Sequence, residues 1–138
     1  MITVSDKSQA AVAALVDLAR RGGDAPVPIL EVADGAGIQL HVCEQLFAAM
    51  KRTGILRSQR GVRGGYAFGR PPRDVTVLDV VESVDGPLRP GPPPAAQSAS
   101  EVLFREAQER LADLLAGVTV ADVLEHESRL AGALMFHI

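Results

Sequence analysis

The sequence predicts a mainly α-helical chain: a winged helix-turn-helix with a two-stranded wing and a long C-terminal dimerisation helix. Three observations point there. Two helical stretches flank a glycine-containing turn, Ala36-Gly37-Ile38. Two short strands follow at once, joined by Arg60-Gly61-Val62-Arg63-Gly64-Gly65. Beyond a proline-rich stretch, Phe104, Ala107, Leu111 and Leu114 recur at the three- and four-residue spacing suited to helix pairing.

Each element has a local cause. Ser5 is a good N-cap for a first helix over 6–21, with Val12, Leu15, Val16 and Ala19 at helical spacing and Arg20 and Arg21 where the helix dipole favours cations. Gly22 to Pro26 ends it. Pro28 suits the first turn of a short second helix over 29–35. A third helix over 40–53 closes on Gly54, and Cys43, Leu46, Phe47 and Met50 form its apolar face. Strands are expected over 55–59 and 66–69, ended by Pro71 and Pro72. Thr76 caps a helix over 77–84 with Val77, Val80, Val81 and Val84 on one side. Residues 86–100 hold five of the nine prolines and read as a poorly ordered loop. Ser98 with Glu101 is a capping box for a helix over 99–116, and Thr119 with Asp122 is another for a last helix reaching Leu130 or further. The division expected is a DNA-binding domain over 1–85, a loop over 86–98, and the dimerisation and C-terminal helices over 99–138.

Length and composition exclude several classes. A chain of 138 residues, 47% hydrophobic and 22% charged, is the size and composition of one globular domain. The longest unbroken apolar run, Ala10 to Val16, is far too short to span a membrane, and the N-terminus reads as no secretory peptide, so the expected compartment is the cytoplasm. A single cysteine, Cys43, can form neither an internal disulfide nor a four-thiolate metal site. Its place on the core face of the third helix marks it as a small buried apolar group. The net charge of −3 is unevenly spread: residues 51–73 hold seven of the fourteen basic residues and no acid, leaving −10 elsewhere. Such a patch fits a local polyanion contact, or a solvated arginine-rich surface.

The outward face of the third helix carries His41, Glu44 and Gln45, with Gln39 at its entry, side chains able to read base edges in a major groove; an ordinary solvated face would look similar. Arg57, Arg60 and Arg63 cluster around a bendable hairpin tip, where guanidinium groups suit phosphates and a narrow minor groove. Together they favour DNA binding. No catalytic triad or phosphate-binding glycine loop is present, so the chain is not expected to be an enzyme. Glu125-His126-Glu127 with His137 offers metal donors, but adjacent helical residues do not converge on one point, and no metal site is expected.

Glu44-Gln45-Leu46-Phe47 and the stretch Gly54 to Tyr66, with its Arg60-Gly61-Val62-Arg63-Gly64-Gly65-Tyr66, resemble the Rrf-two family of bacterial transcription regulators, relatives of the iron–sulfur cluster regulator. So do Ser5-Asp6-Lys7 before an alanine-rich helix, Val75 to Gly86, and the Leu111 to Leu124 region. The resemblance implies a homodimer on a pseudo-palindromic duplex operator, with Glu44 and its neighbours reading bases and Arg60 entering the minor groove. At the family's other base-reading positions this chain has His41 and Val42. The candidate DNA contacts are thus Gln39, His41, Val42, Glu44, Gln45, Arg52, Arg57, Arg60, Arg63 and Tyr66. The candidate dimer surface is Phe104, Ala107, Leu111, Leu114 and Leu115. Many members carry three cluster-ligating cysteines after the helix that follows the wing. Here the segment Pro87 to Ser100 holds neither cysteine nor histidine, so no cofactor is expected. Regulatory input would come from a small-molecule or protein effector. The rival reading keeps the fold but makes it a protein-interaction or small-ligand sensor module with weak or lost DNA binding.

Overall fold

The computed structural model describes residues 4–22 and 24–136. Its elements run α1 (Asp6–Arg20), α2 (Ile29–Ala36), α3 (Leu40–Arg52), β1 (Leu56–Gln59), β2 (Gly65–Phe68), a single 3-10 turn (Pro72–Asp74), α4 (Val77–Asp85), α5 (Ala99–Ala116) and α6 (Val120–Phe136). This is the expected class, mainly helical with one antiparallel hairpin.

Local capping sets four of the six helix starts. The Ser5 hydroxyl accepts from the Ser8 N–H. Thr76 and Asp79 cap α4 reciprocally, as do Ser98 and Glu101 on α5. Thr119 and Asp122 do the same at the start of α6. Two expectations shift slightly. Pro28 is the N-cap of α2 and not part of its first turn. Both strands start one residue away from the expected place: Ile55 spends its carbonyl on the Gly69 N–H and its N–H on the Met50 carbonyl, outside the ladder, and at the other end Gln59 pairs with Gly65.

The N-cap of α1 also ties that helix to the end of α4. Asp85 accepts from the Ser5 N–H at 3.1 Å and from the Ser5 hydroxyl at 2.5 Å. Burial opposes the charge, but these hydrogen bonds outweigh it and hold the carboxyl below its ordinary value. A depressed carboxyl adds stability above its unfolded pKa, lost as pH falls through the folded value. Asp85→Asn should therefore lower the melting temperature most above about pH 4 and least in stronger acid, which flattens its dependence on pH through the acid range.

Two apolar clusters hold the molecule. The larger is centred on α1, which is buried almost all round at Ala14, Leu15, Val16, Asp17 and Leu18. A single stripe is too narrow a description of it, because α2, α3, α4 and α6 all contribute to the same cluster. The smaller joins Leu78 and Val81 of α4 to Leu88 and Ala112. The face of α4 is thus divided: Val80 and Val84 serve the first cluster, Val77 and Val81 the second. In the structure α5 packs on α4, and α6 takes the place along α1. Segment 86–98 has no helix or strand, as expected, yet its start is tied down. Leu88 is buried, its N–H bonds the Glu82 carboxylate, and Arg89 pairs with Asp113 at 2.7 Å.

A charged clamp lies beneath α2. The Asp17 carboxylate is 5% exposed and accepts from Arg20 at 3.3 Å and Arg21 at 2.9 Å. Arg21 also donates to the Glu31 carbonyl of α2, and Arg20 pairs with Glu127 of α6 at 2.6 Å. A Cβ at Gly35 would meet the Asp17 carboxylate, so the glycine lets α2 lie close over the clamp.

Candidate nucleic-acid interface

α3 is seated by its apolar face. Cys43, Leu46, Phe47 and Met50 are all buried. Their helical spacing forces Gln39, His41, Glu44, Gln45 and Arg52 outward, and all five are exposed. Val42 is half-buried against the larger cluster, set apart from that row. Leu40, not singled out from the sequence, is an exposed apolar side chain at the entry of the same helix. Gln39 makes no side-chain cap bond, which leaves the first-turn N–H groups of α3 available to an anion.

Burial gives Cys43 its chemistry. Desolvation, with the charges of Glu44 and Asp17 adding to it, pushes the thiol up to about 11. At pH 8 about one molecule in a thousand would carry the thiolate. A disulfide reagent should therefore leave the native chain unlabelled at that pH and titrate one thiol after denaturation. Rapid labelling of the folded chain would overturn this placement.

The wing follows α3 in the chain. β1 and β2 pair from Leu56 opposite Phe68 to Gln59 opposite Gly65. Beyond them Arg60 to Gly64 make the tip, closed by the Gly64 N–H on the Gly61 carbonyl at 2.9 Å. A Cβ at Gly64 would run into the Gln59 carbonyl. The glycines of this motif thus let the chain reverse tightly. Among the described residues, Arg60 and Arg63 make no side-chain hydrogen bond or ion pair, and both are exposed. Val62 between them is fully exposed, and its place in the glycine-rich link was the available signal for an apolar tip.

Arg57, expected in the tip cluster, and Tyr66, expected as a DNA contact, are both engaged within the fold. Arg57 donates to the Asp24 carbonyl at 2.9 Å, so its guanidinium is held at the base of the wing. Tyr66 is half-buried, with its ring edge-on to Phe47 at 5.0 Å and 74°, and its backbone pairs with Val27. Its ring belongs to the joint between wing and α3. On α5, Phe104, Ala107 and Leu114 are exposed, whereas Leu111 and Leu115 are half-buried against the smaller cluster.

His126 is exposed on α6, and Glu127 is engaged by Arg20. His137, the remaining member of that donor set, lies outside the described residues. Among the described residues no group of three or more His, Cys, Asp or Glu side chains could hold a metal ion. An iron–sulfur cluster needs thiolate or imidazole donors. The one cysteine is buried in the core of α3, so the residues present do not fit a cluster within one chain. No helix among the described residues is long and apolar enough to cross a membrane.

An exposed row on the second helix of a helix-turn-helix, beside a glycine-tipped hairpin carrying unpaired arginines, defines a winged-helix DNA-binding protein. The family model Rrf2, described as an iron-dependent transcriptional regulator, matches residues 4–126. The chain belongs to the Rrf2 (Rrf-two) family of transcriptional regulators, which is not a family of enzymes. It is similar to the HTH-type transcriptional regulator IscR of Erwinia tasmaniensis, 29% identical over 137 aligned positions that cover 94% of this chain and 83% of the relative. Among solved structures it resembles T. potens IscR, at TM-score 0.78 and 30% identity, covering 91% of this chain and 88% of that one. It shares its fold with CymR, the global cysteine regulator of B. subtilis, at TM-score 0.80 and 24% identity, covering 91% and 98% of the two chains.

Proposed function

We propose that this regulator is a sequence-specific repressor that grips duplex DNA as a homodimer and works without an iron–sulfur cluster. The observation that carries the reading is the pairing of an exposed row on α3, Gln39, His41, Glu44 and Gln45, with two exposed arginines, Arg60 and Arg63, on the tip of the hairpin that follows it, neither of which has a side-chain partner among the described residues. The row reads bases: Glu44 accepts from a cytosine amino group and Gln45 pairs with adenine. The arginines take phosphates and the minor groove, with Arg52 as a further backbone contact. Val42 and Tyr66 support the row and the wing from behind.

The case for a second copy rests on α5. Val102, Leu103, Phe104 and Leu114 are 49%, 59%, 61% and 64% exposed, an apolar surface on one helix that water does not favour. Phe104, Ala107 and Leu114 would face the partner, with Leu111 and Leu115 at the inner edge. Such a dimer presents its two reading heads to half-sites about 34–36 Å apart. The donor set argues for operation without a cluster, and regulation would come from an effector that favours one spacing of the heads over another.

Selection from genomic fragments with the purified chain tests the reading. The selected site should be an inverted repeat, and affinity should fall steeply with salt, with a slope of about −0.9 per neutralised phosphate. A chain that retains no fragment at low salt overturns the DNA reading and favours an interaction module. Stoichiometric iron with visible charge-transfer absorbance after anaerobic purification overturns the cluster-free part alone.

A further inference from the structure

The wing has a second basic feature, at the end of the hairpin opposite its tip. A cleft of about 520 Å3 opens between the end of α1 and the base of the wing. Its apolar wall includes Leu18 and Phe68, and three guanidinium residues line it, Arg57, Arg70 and Arg73, against one carboxylate residue, Asp24. The three cations are not equivalent. Arg70 is committed to the Asp79 carboxylate at 3.6 Å and to the Asp74 carbonyl. Arg57 meets only the Asp24 backbone carbonyl. Arg73 is exposed and, among the described residues, makes no side-chain hydrogen bond or ion pair. Two positive charges therefore border a concave, partly apolar space with no carboxylate among the described residues bound to either.

We propose that this cleft binds a small organic anion, a phosphate monoester or carboxylate bearing an apolar group. The anion would sit on Arg73 and Arg57, which present planar forks suited to such oxygens. The apolar portion would lie against Leu18 and Phe68. The volume is that of a small-molecule site. A DNA backbone phosphate carries the same oxygens, but Arg57 lies three residues before Arg60, about 10 Å along the strand from the tip, and the space is concave where a duplex is convex. A ligand on Arg57 also competes with the Asp24 carbonyl for the guanidinium that ties the wing base to the loop between α1 and α2.

The test needs no DNA, so its failure is distinct from failure of the repressor reading. The full chain, labelled with 15N, is titrated with phenyl phosphate and separately with benzyl alcohol. Phenyl phosphate should shift the amides of Asp24, Gly69 and Arg70 saturably, with Kd of about 1 mM or below, and benzyl alcohol should not. Arg73→Ala, which removes a side chain with no partner in the fold, should weaken binding about tenfold and leave the rest of the spectrum unchanged. Three outcomes overturn the proposal: no saturable shift, shifts confined to Arg60 and Arg63, or an unchanged Kd in both Arg73→Ala and Arg73→Glu. A nonspecific duplex that moves the same amides and displaces phenyl phosphate would assign the cleft to backbone phosphate and overturn it as well.

Discussion

Gly65→Ala should cost the chain about 2–4 kcal/mol and lower its melting temperature by roughly 6–15 °C. Two independent effects add. Gly65 has φ of +147°, where a side chain is strained. A Cβ built there would also run into the Val27 carbonyl, which is not free to move. That carbonyl accepts from the Tyr66 N–H at 2.8 Å, and the Val27 N–H donates to the Tyr66 carbonyl at the same distance. Together they pin the wing to the segment between α1 and α2. Tyr66 carries its ring to Phe47 of α3, so displacing Gly65 loosens the wing and the reading helix together. Gly91→Ala is the control, since Gly91 has no heavy atom near its would-be Cβ and no positive φ. It should change stability by less than about 0.5 kcal/mol. Equal melting of the two variants would show that the wing is not held through this bridge.

What could be read from the sequence follows the range of the interactions involved. Ser5, Thr76 with Asp79, Ser98 with Glu101, and Thr119 with Asp122 set helix starts through bonds spanning three residues, and such bonds are legible as short patterns. The apolar face of α3 was legible because 3.6-residue periodicity acts within one element. Other features depend on partners distant in the chain. Val27 pairs with Tyr66 through the fold, and no local spacing signals it. Asp17 looks like a solvent-facing helical acid until Arg20, Arg21 and Gly35 close around it. Arg57 has the same composition signal as Arg60, yet the Asp24 carbonyl captures it at the wing base. At the candidate interface, then, residue types and spacing mark the outward row of α3 and the tip of the hairpin. Only the packing separates Val42 and Tyr66, which face the core, from their outward neighbours.

Arg60→Ala should weaken operator binding about 5- to 150-fold, the effect of removing roughly 1–3 kcal/mol of guanidinium interaction summed over the two half-sites, and lower the salt slope by about one for each phosphate left without its arginine. Its effect should appear almost entirely in binding, because Arg60 is exposed and makes no side-chain hydrogen bond or ion pair among the described residues; the melting temperature should stay within about 1 °C of the parent. Glu44→Ala should differ in kind. A carboxylate facing DNA repels phosphate, so its removal would strengthen nonspecific binding while erasing preference at one base pair, worth about 1–3 kcal/mol of discrimination. Affinities for the selected inverted repeat and for a scrambled duplex, measured at two salt concentrations, separate these effects. Arg60→Ala should lower both affinities; Glu44→Ala should bring them together. If instead both variants weakened the two duplexes equally, the outward row of α3 would be a passive face and sequence selection would have to reside in DNA shape read by the wing.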